Sequence, residues 1–303
     1  MSRRATIIGL GELLWDCFSD ARRPGGAPAN FAFHAQQLGG RGLVASRVGH
    51  DADGQQLLDF LTSKGLETSL VPSDPEHPTG RVTVSLNDGQ PTYVIHEGVA
   101  WDHLVCTTDW SMAMRSADAV CFGTLAQRSR ESRAAIHAAL DATSPDCLIV
   151  CDVNLRQQWY DRDVIDASLQ RANLVKLNDE EQIVLSSLLG IEGATAEQFA
   201  EHLRERYHVD TVCVTRGRAG CWISSLTGAY DIAGVEVDVA DTVGAGDAFT
   251  AGLVTALLQD WPIESAARFA NRVGALVASH TGGMPDISEE AAELFAEFSP
   301  ASH

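Results

Sequence analysis

The segment DTVGAGDAF, residues 241–249, combines the residue types that phosphoryl transfer requires. Its glycines let backbone N–H groups approach an anion, and the apolar run that follows predicts a helix over about 245–260. The first turn of such a helix presents unpaired N–H donors and the positive end of the helix dipole. Asp247 would lie just inside this turn, where its carboxylate could accept the proton of an attacking hydroxyl. The rest of this anion hole, which contains no lysine, would come from the backbone of Gly244, Ala245 and Gly246.

Two other nucleotide-binding patterns are incomplete in this sequence. GLGELL, residues 9–14, begins like a dinucleotide fingerprint after a strand, but Leu14 occupies the third glycine position and no helix pattern follows. A nicotinamide dehydrogenase is therefore disfavoured. A Walker A loop needs Gly-Lys-Ser/Thr, and neither Lys64 nor Lys176 follows a glycine. Segment 241–249 is the best remaining candidate for a phosphate site.

The composition indicates a small molecule as the partner. The chain has 303 residues with 41 acidic and 22 basic side chains, which give a formal net charge of -19. Such an excess of negative charge disfavours nonspecific binding to nucleic acids or to anionic membranes. An anionic ligand would have to be held by local dipoles or by individually placed arginines.

Cysteine usage and the N-terminus favour a cytoplasmic location. The seven cysteines are odd in number, form no C-x-x-C pair and lie mostly in apolar runs, as expected for reduced core thiols. Gly9, Gly11 and Glu12 interrupt the first apolar run, and no later run reaches about 18 apolar residues. The sequence therefore predicts neither an export signal nor a membrane span.

The elements that must position Asp247 alternate between apolar strand patterns and helical patterns. The pairs are ATIIGLGELL and ANFAFHAQQL, DAVCFGT and SRESRAAIHAALDA, CLIVCDV and DVIDASLQRA, and NLVKL and DEEQIVLSSLL; a further strand pattern is TVCVT. Strands that alternate with helices of this length predict a parallel sheet with both faces covered. We expect one α/β domain over residues 1–303, since no linker or repeat divides the chain.

One segment departs from the alternation. RVTVSLNDGQPTYVIH, residues 81–96, shows two strand patterns around Asn87-Asp88-Gly89, which predicts a β-hairpin with a tight turn. A hairpin inserted in an α/β domain often covers a site. We therefore expect a lid formed by about 78–101 together with about 11–24.

Two signatures in this chain resemble those of the ribokinase-like sugar kinases, the PfkB family. DTVGAGDAFTAGL is similar to the C-terminal signature of that family, and GGAPANFAFHAQQLGG, residues 25–40, is similar to the N-terminal one. The resemblance continues in family order through RVGHDADG, DVNLR, VKLNDEE, VTRGRAG and the pair Ala270-Asn271. Taken alone, segment 241–249 is explained more simply by Asp241 as a helix cap and Asp247 as a first-turn residue. The two signatures in order favour the catalytic interpretation.

The resemblance implies both a fold and an activity. The fold is a ribokinase-like three-layer α/β fold, with a mostly parallel central sheet, helices on both faces and a small β-hairpin lid. The activity is that of an ATP-dependent carbohydrate kinase, which transfers the γ-phosphate of ATP to a hydroxyl of a monosaccharide. Asp247 would be the general base and the backbone of 244–247 the anion hole.

Further positions acquire roles in nucleotide and metal binding from the resemblance. Glu181, in the N-x-x-E motif that begins at Asn178, would help to hold Mg²⁺ through water. The same two residues also fit a capping box, so we expect a dual role. Neighbours of ATP would be Asn178, Thr215, Gly217, Gly220 and Asn271, with the two arginines between Thr215 and Ala219 as additional phosphate contacts. Without the resemblance, 215–220 would be a hairpin turn.

The resemblance also assigns the acceptor site. Asp16, Gly25, Gly26 and Asn30 would face the sugar, although a solvated loop acid and a helix-start residue explain Asp16 and Asn30 without it. Arg156, after the D-x-N pair, would lie near the acceptor or the transferring phosphate, where a planar guanidinium can neutralise charge. Its structural alternative is a surface salt bridge with Asp161 or Asp163.

The identity of the acceptor depends on finer resemblances. GGAPAN and GELLWD are similar to fructokinases rather than to ribokinases, so fructose is the preferred acceptor. The alternatives are 2-keto-3-deoxygluconate, which Arg156 suggests, then ribose or a nucleoside. A catalytically silent sugar or nucleotide sensor is a different class, which the presence of Asp247 disfavours. The resemblance also allows a homodimer through the lid, and a monovalent cation such as K⁺ around Asp241, Val243 and the loop after Ala278.

Overall fold

The protein is described here by a computed structural model that covers residues 3–87 and 90–298. Its strands are β1 (Thr6–Leu10), β2 (Leu14–Cys17), β3 (Arg22–Gly25), β4 (Arg41–Ala45), β5 (Val48–Gly49), β6 (Ser73–Asp74), β7 (Gly80–Asn87), β8 (Gln90–Ile95), β9 (Ala119–Phe122), β10 (Leu148–Asp152), β11 (Leu174–Asn178), β12 (Thr211–Thr215), β13 (Cys221–Ser225) and β14 (Gly228–Ile232). Its α-helices are α1 (Ala27–Gln37), α2 (Ala52–Ser63), α3 (Thr108–Ser116), α4 (Arg130–Asp141), α5 (Arg162–Leu169), α6 (Asp179–Leu189), α7 (Ala196–Tyr207), α8 (Ala245–Leu257), α9 (Ile263–Ala278) and α10 (Ser288–Phe298).

An eight-stranded sheet forms the centre of the molecule, with the strand order β14-β13-β12-β11-β10-β9-β1-β4. From β4 to β12 all neighbouring strands are parallel, whereas β13 and β14 add an antiparallel edge. The mostly parallel sheet predicted from the alternation of strands and helices is confirmed. The carboxyl ends of the parallel strands meet at one edge, which is where ligands bind in open α/β sheets.

Helices cover both faces of this sheet, because its strands are apolar on both sides. In β9, Val120 and Phe122 pack into a core shared with α3 to α7, whereas Cys121 packs into a second core shared with α1, α8, α9 and α10. Strands β10 and β11 alternate in the same way: Val150 and Leu174 face the second core. Asp152 and Lys176, each two residues further on, therefore lie on the face covered by α1 and α8.

Helix α1 packs unusually close to the first strand. A Cβ atom at Gly9 would overlap the backbone of Pro28, so only glycine allows this approach. Helix α1 also packs along α8, and Phe31 shares a core with Ala248. The close contact brings the N-terminal turns of both helices to the same edge of the sheet.

A separate four-stranded sheet has the order β3-β2-β7-β8. Strand β2 pairs in parallel with β7 and antiparallel with β3, and β7 and β8 form the hairpin. Its strands lie in the two segments predicted to form the lid, 11–24 and 78–101. Strand β3 ends at Gly25, one residue beyond the first of these segments. The predicted turn at Asn87-Asp88-Gly89 lies partly outside the described residues.

The apolar run ATIIGLGELL, which has a strand pattern in the sequence, is divided between two sheets in the structure. The chain leaves the central sheet after Leu10 and begins β2 at Leu14, in the other sheet. Gly11 lies between them with φ +150°, and its N–H donates to the Ala45 carbonyl over 3.1 Å. Glycine readily adopts this positive φ, which other residues adopt rarely, and the chain can therefore change direction here. Within the described ranges, no helix combines the length and apolarity needed to cross a membrane.

Candidate active site

Helix α8 begins at Ala245, where the sequence predicted its start, and ends at Leu257 rather than near 260. Gly244 caps it in the left-handed conformation, with φ +78°. A Cβ atom at this position would also lie 2.6 Å from the Gly283 carbonyl oxygen. Position 244 therefore requires glycine for two reasons: the backbone conformation and the close approach of a neighbouring loop.

Two N–H groups of the first turn are available to an anion. The Ala245 N–H donates to the Thr242 carbonyl over 3.3 Å, and the Ala248 N–H donates to Gly244 over 2.8 Å. Between them, the N–H groups of Gly246 and Asp247 find no acceptor in the part of the chain that the structure describes. Of the N–H groups predicted to form the anion hole, those of Gly246 and Asp247 are therefore available to a ligand. The Ala245 N–H is already used in its hydrogen bond to Thr242.

Asp247 projects from this turn toward α1. Its Oδ2 accepts a hydrogen bond from Asn30 Nδ2 over 2.8 Å. Burial raises the pKa of Asp247 to about 6, the Asp152 carboxylate adds to this, and Asn30, Lys176 and Arg156 oppose it. A carboxylate with a pKa of this size is ionised at neutral pH and is a better proton acceptor than an ordinary aspartate.

A buried ion pair lies beneath the same turn. Lys176 Nζ donates to both carboxylate oxygens of Asp152 over 3.1 Å. The Thr250 hydroxyl, one turn further along α8, lies 2.8 Å from Asp152 Oδ2 and 3.0 Å from the Gly246 carbonyl oxygen. The anion hole formed by the backbone stays a prediction, and the structure adds a lysine near it: a Cβ atom at Gly246 would lie 3.3 Å from Lys176 Nζ.

A third carboxylate, that of Glu12, lines the same small cavity as Asp152 and Asp247. Glu12 follows β1 and is 4% exposed. Burial raises its pKa to about 7; backbone hydrogen bonding and Arg156 lower it, and Asp247 raises it further. The cavity therefore holds two carboxyl groups that titrate near neutral pH.

The residues predicted to bind the sugar lie on the lid sheet and at the start of α1. Asp16 lies on β2, and its carboxylate lies directly against Gly25 of β3, where a Cβ atom would overlap it. Burial raises the pKa of Asp16 to about 6, while Arg156 and Arg23 lower it. Gly26 caps α1 with φ +116°. Asn30 is 5% exposed, and its Oδ1 has no hydrogen-bond partner among the described residues.

Arg156 lies in the loop after β10, next to Leu155, whose N–H donates to Glu181. Its positive charge lowers the pKa of Glu12, Asp16 and Asp247, so it faces the site. In the described ranges it forms no salt bridge with Asp161, whose carboxylate instead caps α5 by accepting from the Val164 N–H. The surface-pair alternative for Arg156 is not observed.

Asn178 and Glu181 form the predicted capping box at the start of α6. Asn178 Oδ1 accepts from the Glu181 N–H, and Glu181 Oε2 accepts from the Asn178 N–H, both over 2.8 Å. Glu181 Oε1 accepts from the Leu155 N–H, also over 2.8 Å. Burial, the largest cause, raises the pKa of Glu181. Each oxygen retains one lone pair, which fits contact with a hydrated cation better than direct ligation.

The predicted nucleotide residues follow the neighbouring strands. Thr215 ends β12, pairs with Asn178 in register, and its hydroxyl lies 3.3 Å from the Leu177 carbonyl. A short 3-10 helix between β12 and β13 begins at Gly217 and is followed by Gly220, which have φ +53° and +93°. The hairpin-turn interpretation is thus correct as a description of the backbone. Asn271 stands on α9, where its Nδ2 donates to the Ala233 carbonyl over 3.3 Å.

Two further predicted contacts are occupied by protein groups. Arg216 forms a bidentate pair with Asp231, which a phosphate would have to displace, so its contact with phosphate stays a prediction. The Asp241 carboxylate accepts from the N–H groups of Val243 and Gly282 over 3.1 Å and pairs with Arg23 at 3.1 Å. A monovalent cation at this loop would depend mainly on carbonyl oxygens, and it stays a prediction.

Sequence reasoning missed Glu12, Asp152 and Lys176. The signal for Lys176 was a lysine inside an apolar strand in a chain with few lysines, and the signal for Glu12 was a carboxylate between a strand and the predicted lid. Neither signal identifies a partner, because the strand order decides which side chains meet. Among the described residues no cluster of three or more potential ligands is arranged to hold a metal directly.

Comparisons with known proteins agree with this geometry. The model of the pfkB family carbohydrate kinase matches residues 4–290. A fructokinase of Escherichia coli is 30% identical to the chain over 299 residues, which cover 92% of this chain and 95% of the relative.

Solved structures are also similar over nearly the whole length. A sugar kinase of Pyrococcus horikoshii in complex with ATP has a TM-score of 0.80 at 26% identity and covers 96% of this chain and 99% of its own. A fructokinase of Vibrio cholerae with bound fructose, ADP and calcium ion has a TM-score of 0.80 at 25% identity, with 96% and 98% covered. The predicted ribokinase-like α/β fold is confirmed.

Proposed function

Because this chain belongs to the pfkB family of carbohydrate kinases, we propose that it transfers the γ-phosphate of ATP to a hydroxyl of fructose. The observation that carries the proposal is the first turn of α8. There the carboxylate of Asp247, with its pKa raised to about 6, lies in the same turn as two N–H groups, those of Gly246 and Asp247, that have no acceptor among the described residues. One turn thus offers a proton acceptor and an anion site together.

In the proposed reaction, this turn and its neighbours supply the groups that act on the sugar hydroxyl and on the transferring phosphoryl group. The sugar hydroxyl gives its proton to Asp247, and its oxygen forms a bond with the γ-phosphorus. The bond between that phosphorus and the β–γ bridging oxygen breaks, so ADP leaves with the electron pair. The N–H groups of Gly246 and Asp247 and the guanidinium of Arg156 stabilise the charge on the transferring phosphoryl group.

ATP would lie along the carboxyl ends of β11 and β12, with its phosphates toward α8. Asn178, Thr215, Gly217, Gly220 and Asn271 are the residues that we assign to it. Glu181 would contact Mg²⁺ through water, because its two oxygens already accept backbone hydrogen bonds and keep one lone pair each. When bound, Mg²⁺ would supply charge neutralisation to the phosphates of ATP.

The acceptor would lie between the lid sheet and α1, held by Asp16, Gly25, Gly26 and Asn30. Asn30 Oδ1, which has no partner within residues 3–87 and 90–298, supports this placement, since a buried amide oxygen without a partner is costly unless a ligand hydroxyl satisfies it. Relatives named fructokinase, together with GGAPAN and GELLWD, favour fructose. The alternatives are 2-keto-3-deoxygluconate, ribose and a nucleoside.

A panel of acceptors tests the proposal. The purified protein is mixed with ATP, Mg²⁺ and each sugar, and release of ADP is followed. We expect the highest kcat/KM with fructose; a competitor that exceeds fructose by more than about tenfold, roughly 1.4 kcal/mol, would contradict this acceptor. Absence of ADP release with every sugar would favour the catalytically silent sensor.

We also infer the larger organisation of the protein. One kinase domain over 1–303 is supported by the continuous central sheet, and a lid over 11–24 and 78–101 by the separate sheet. A homodimer through the lid is supported by the exposed apolar side chains of Phe18, Tyr93 and Val94. The free thiols of all seven cysteines support a cytoplasmic location. Hydrogen exchange of residues 79–96 should slow when fructose binds, and unchanged exchange would contradict the lid.

A further inference from the structure

Lys176 occupies an unusual position for a lysine. It lies within β11 on the face that α8 covers and is 8% exposed. Burial opposes its charge, but the carboxylates of Asp152, Glu181 and Asp247 raise its pKa, so the ammonium is charged. A buried charge is retained only when its surroundings compensate the lost hydration. The groups that contact Lys176 must therefore provide this compensation.

The contacts of Lys176 connect the sheet to the first turn of α8. Its Nζ bonds both oxygens of Asp152, and the Thr250 hydroxyl lies 2.8 Å from one of those oxygens. Gly246 passes directly over the ammonium, at the position where a Cβ atom would be 3.3 Å from Nζ. The ion pair therefore lies under the residues that bear the anion site and Asp247.

The charges around Asp247 come from several elements. The titratable or charged groups that face it are Glu12 after β1, Cys121 on β9, Asp152 at the end of β10, Arg156 in the following loop and Lys176 on β11. Asp152 is the main negative charge among them. If Asp152 had no cation beside it, its negative charge would disfavour ionisation of the neighbouring Asp247 carboxylate.

We propose that Lys176 is a positioning residue of the reaction, which neutralises Asp152 and so allows Asp247 to carry the negative charge that a proton acceptor needs. This inference rests on the proposed function, in which Asp247 is the base. Lys176 itself need not touch either substrate. Its effect is electrostatic, because its ammonium and the Asp152 carboxylate form a neutral pair beneath a helix end that must bind an anion.

Charge-balance variants test this role through the dependence of kcat on pH. Lys176→Met removes the ammonium and leaves Asp152 unpaired, so the acid limb of the profile should move up by about one pH unit or more. Asp152→Asn leaves Lys176 unopposed and should move the limb down. The double variant Lys176→Met with Asp152→Asn restores neutrality, so its limb should return to within about half a unit of the wild type. Opposite shifts that cancel are the signature of charge balance.

A merely structural role gives a different result. The variants would then lose activity or stability at every pH, and the acid limb would not move. Asp152→Asn keeps the size of the side chain and can still accept from Thr250, so it provides a test even if Lys176→Met does not fold. Lys64→Met is the matched control, because it removes the other lysine of the chain, near Phe33 and Phe60, and should leave the profile unchanged.

The outcome separates this inference from the proposed function. If Asp247→Asn abolishes turnover while neither Asp152→Asn nor Lys176→Met moves the limb, the role of Lys176 is refuted and Asp247 remains the base. If Asp247→Asn retains turnover, the base assignment itself is wrong, and the inference about Lys176 is lost with it.

Discussion

Asn30 Nδ2 donates a hydrogen bond to Asp247 Oδ2 over 2.8 Å, although the two residues are separated by 217 positions in the chain. The other amide atom, Asn30 Oδ1, has no partner among the described residues. One side chain therefore contacts the proposed base and also carries a buried acceptor atom that no described residue satisfies. This relationship joins the two signature segments of the sequence in one site.

Asn30→Ala should raise KM for the sugar by about tenfold or more, because a hydrogen bond to a ligand hydroxyl and a well-oriented base are both lost. KM for ATP should change much less. Steady-state kinetics with each substrate varied in turn measures the difference. Asn271→Ala is the matched comparison, since it removes an asparagine on the proposed nucleotide side and should show the reverse selectivity. An unchanged sugar KM would return Asn30 to a purely structural role.

Asp247→Asn should lower kcat by about 10² to 10⁴, the usual contribution of general-base catalysis, while ATP binding survives. The variant should nevertheless be more stable above pH 6. The folded-state pKa of Asp247 is raised from 3.8 to about 6, so the folded protein binds more protons than the unfolded chain within this window, and stability falls as pH rises through it. Asparagine carries no charge at any pH and avoids this loss.

Thermal unfolding of this pair across pH tests the sign. The Asp247→Asn variant should melt about 2 °C or more above the wild type at pH 7.5, and the difference should vanish below about pH 4. Turnover within about threefold of the wild type in a folded Asp247→Asn protein would rule out the base assignment.

The acid limb of the wild-type kcat profile should lie between about pH 6 and 7, since the pKa of Asp247 is raised to about 6 and that of Glu12 to about 7. Activity should fall below this range, where Asp247 is protonated. Because the two groups interact, the observed values belong to the pair. Glu12→Gln removes a neighbouring negative charge and should move the limb down. A limb near pH 4 would show that the site does not perturb Asp247.

Two glycines of the α8 turn should differ in their tolerance of alanine. Gly244→Ala places a side chain at φ +78° and 2.6 Å from a backbone carbonyl, so we expect a loss of stability of more than about 2 kcal/mol. Gly246→Ala meets a single side-chain atom, Lys176 Nζ at 3.3 Å, and no backbone atom, so we expect a loss below about 1 kcal/mol. Chemical denaturation measures both values. Equal losses would contradict the close packing of Gly244 against Gly283.

Part of this structure follows from local sequence signals. The start of α8 at Ala245 and the capping box of Asn178 and Glu181 were predictable, because both depend on residues three or four apart. The parallel sheet followed from the alternation of strands and helices. Strand β3, with the sequence RRPG, was not predictable, since it pairs at the edge of the lid without any apolar pattern.

The charged centre of the site could not be predicted in the same way. Lys176 meets Asp152 because β10 and β11 are neighbours in register, and both meet Thr250 because α8 lies on that face. None of these facts is local. In the pattern NLVKL, period-two alternation groups Lys176 with Leu174, which marks a buried lysine but does not identify the carboxylate that compensates it.

The distance along the chain between Asn30 and Asp247 also affects synthesis of the protein. Ribosomes add about 5–20 residues per second, so the 217 positions between the two residues correspond to about 10 to 45 s of translation. Throughout that interval α1 lacks α8, the helix against which Phe31 packs in the finished protein. A nascent chain must therefore keep this apolar surface from aggregating, and any product truncated before Asp247 would lack the proposed base.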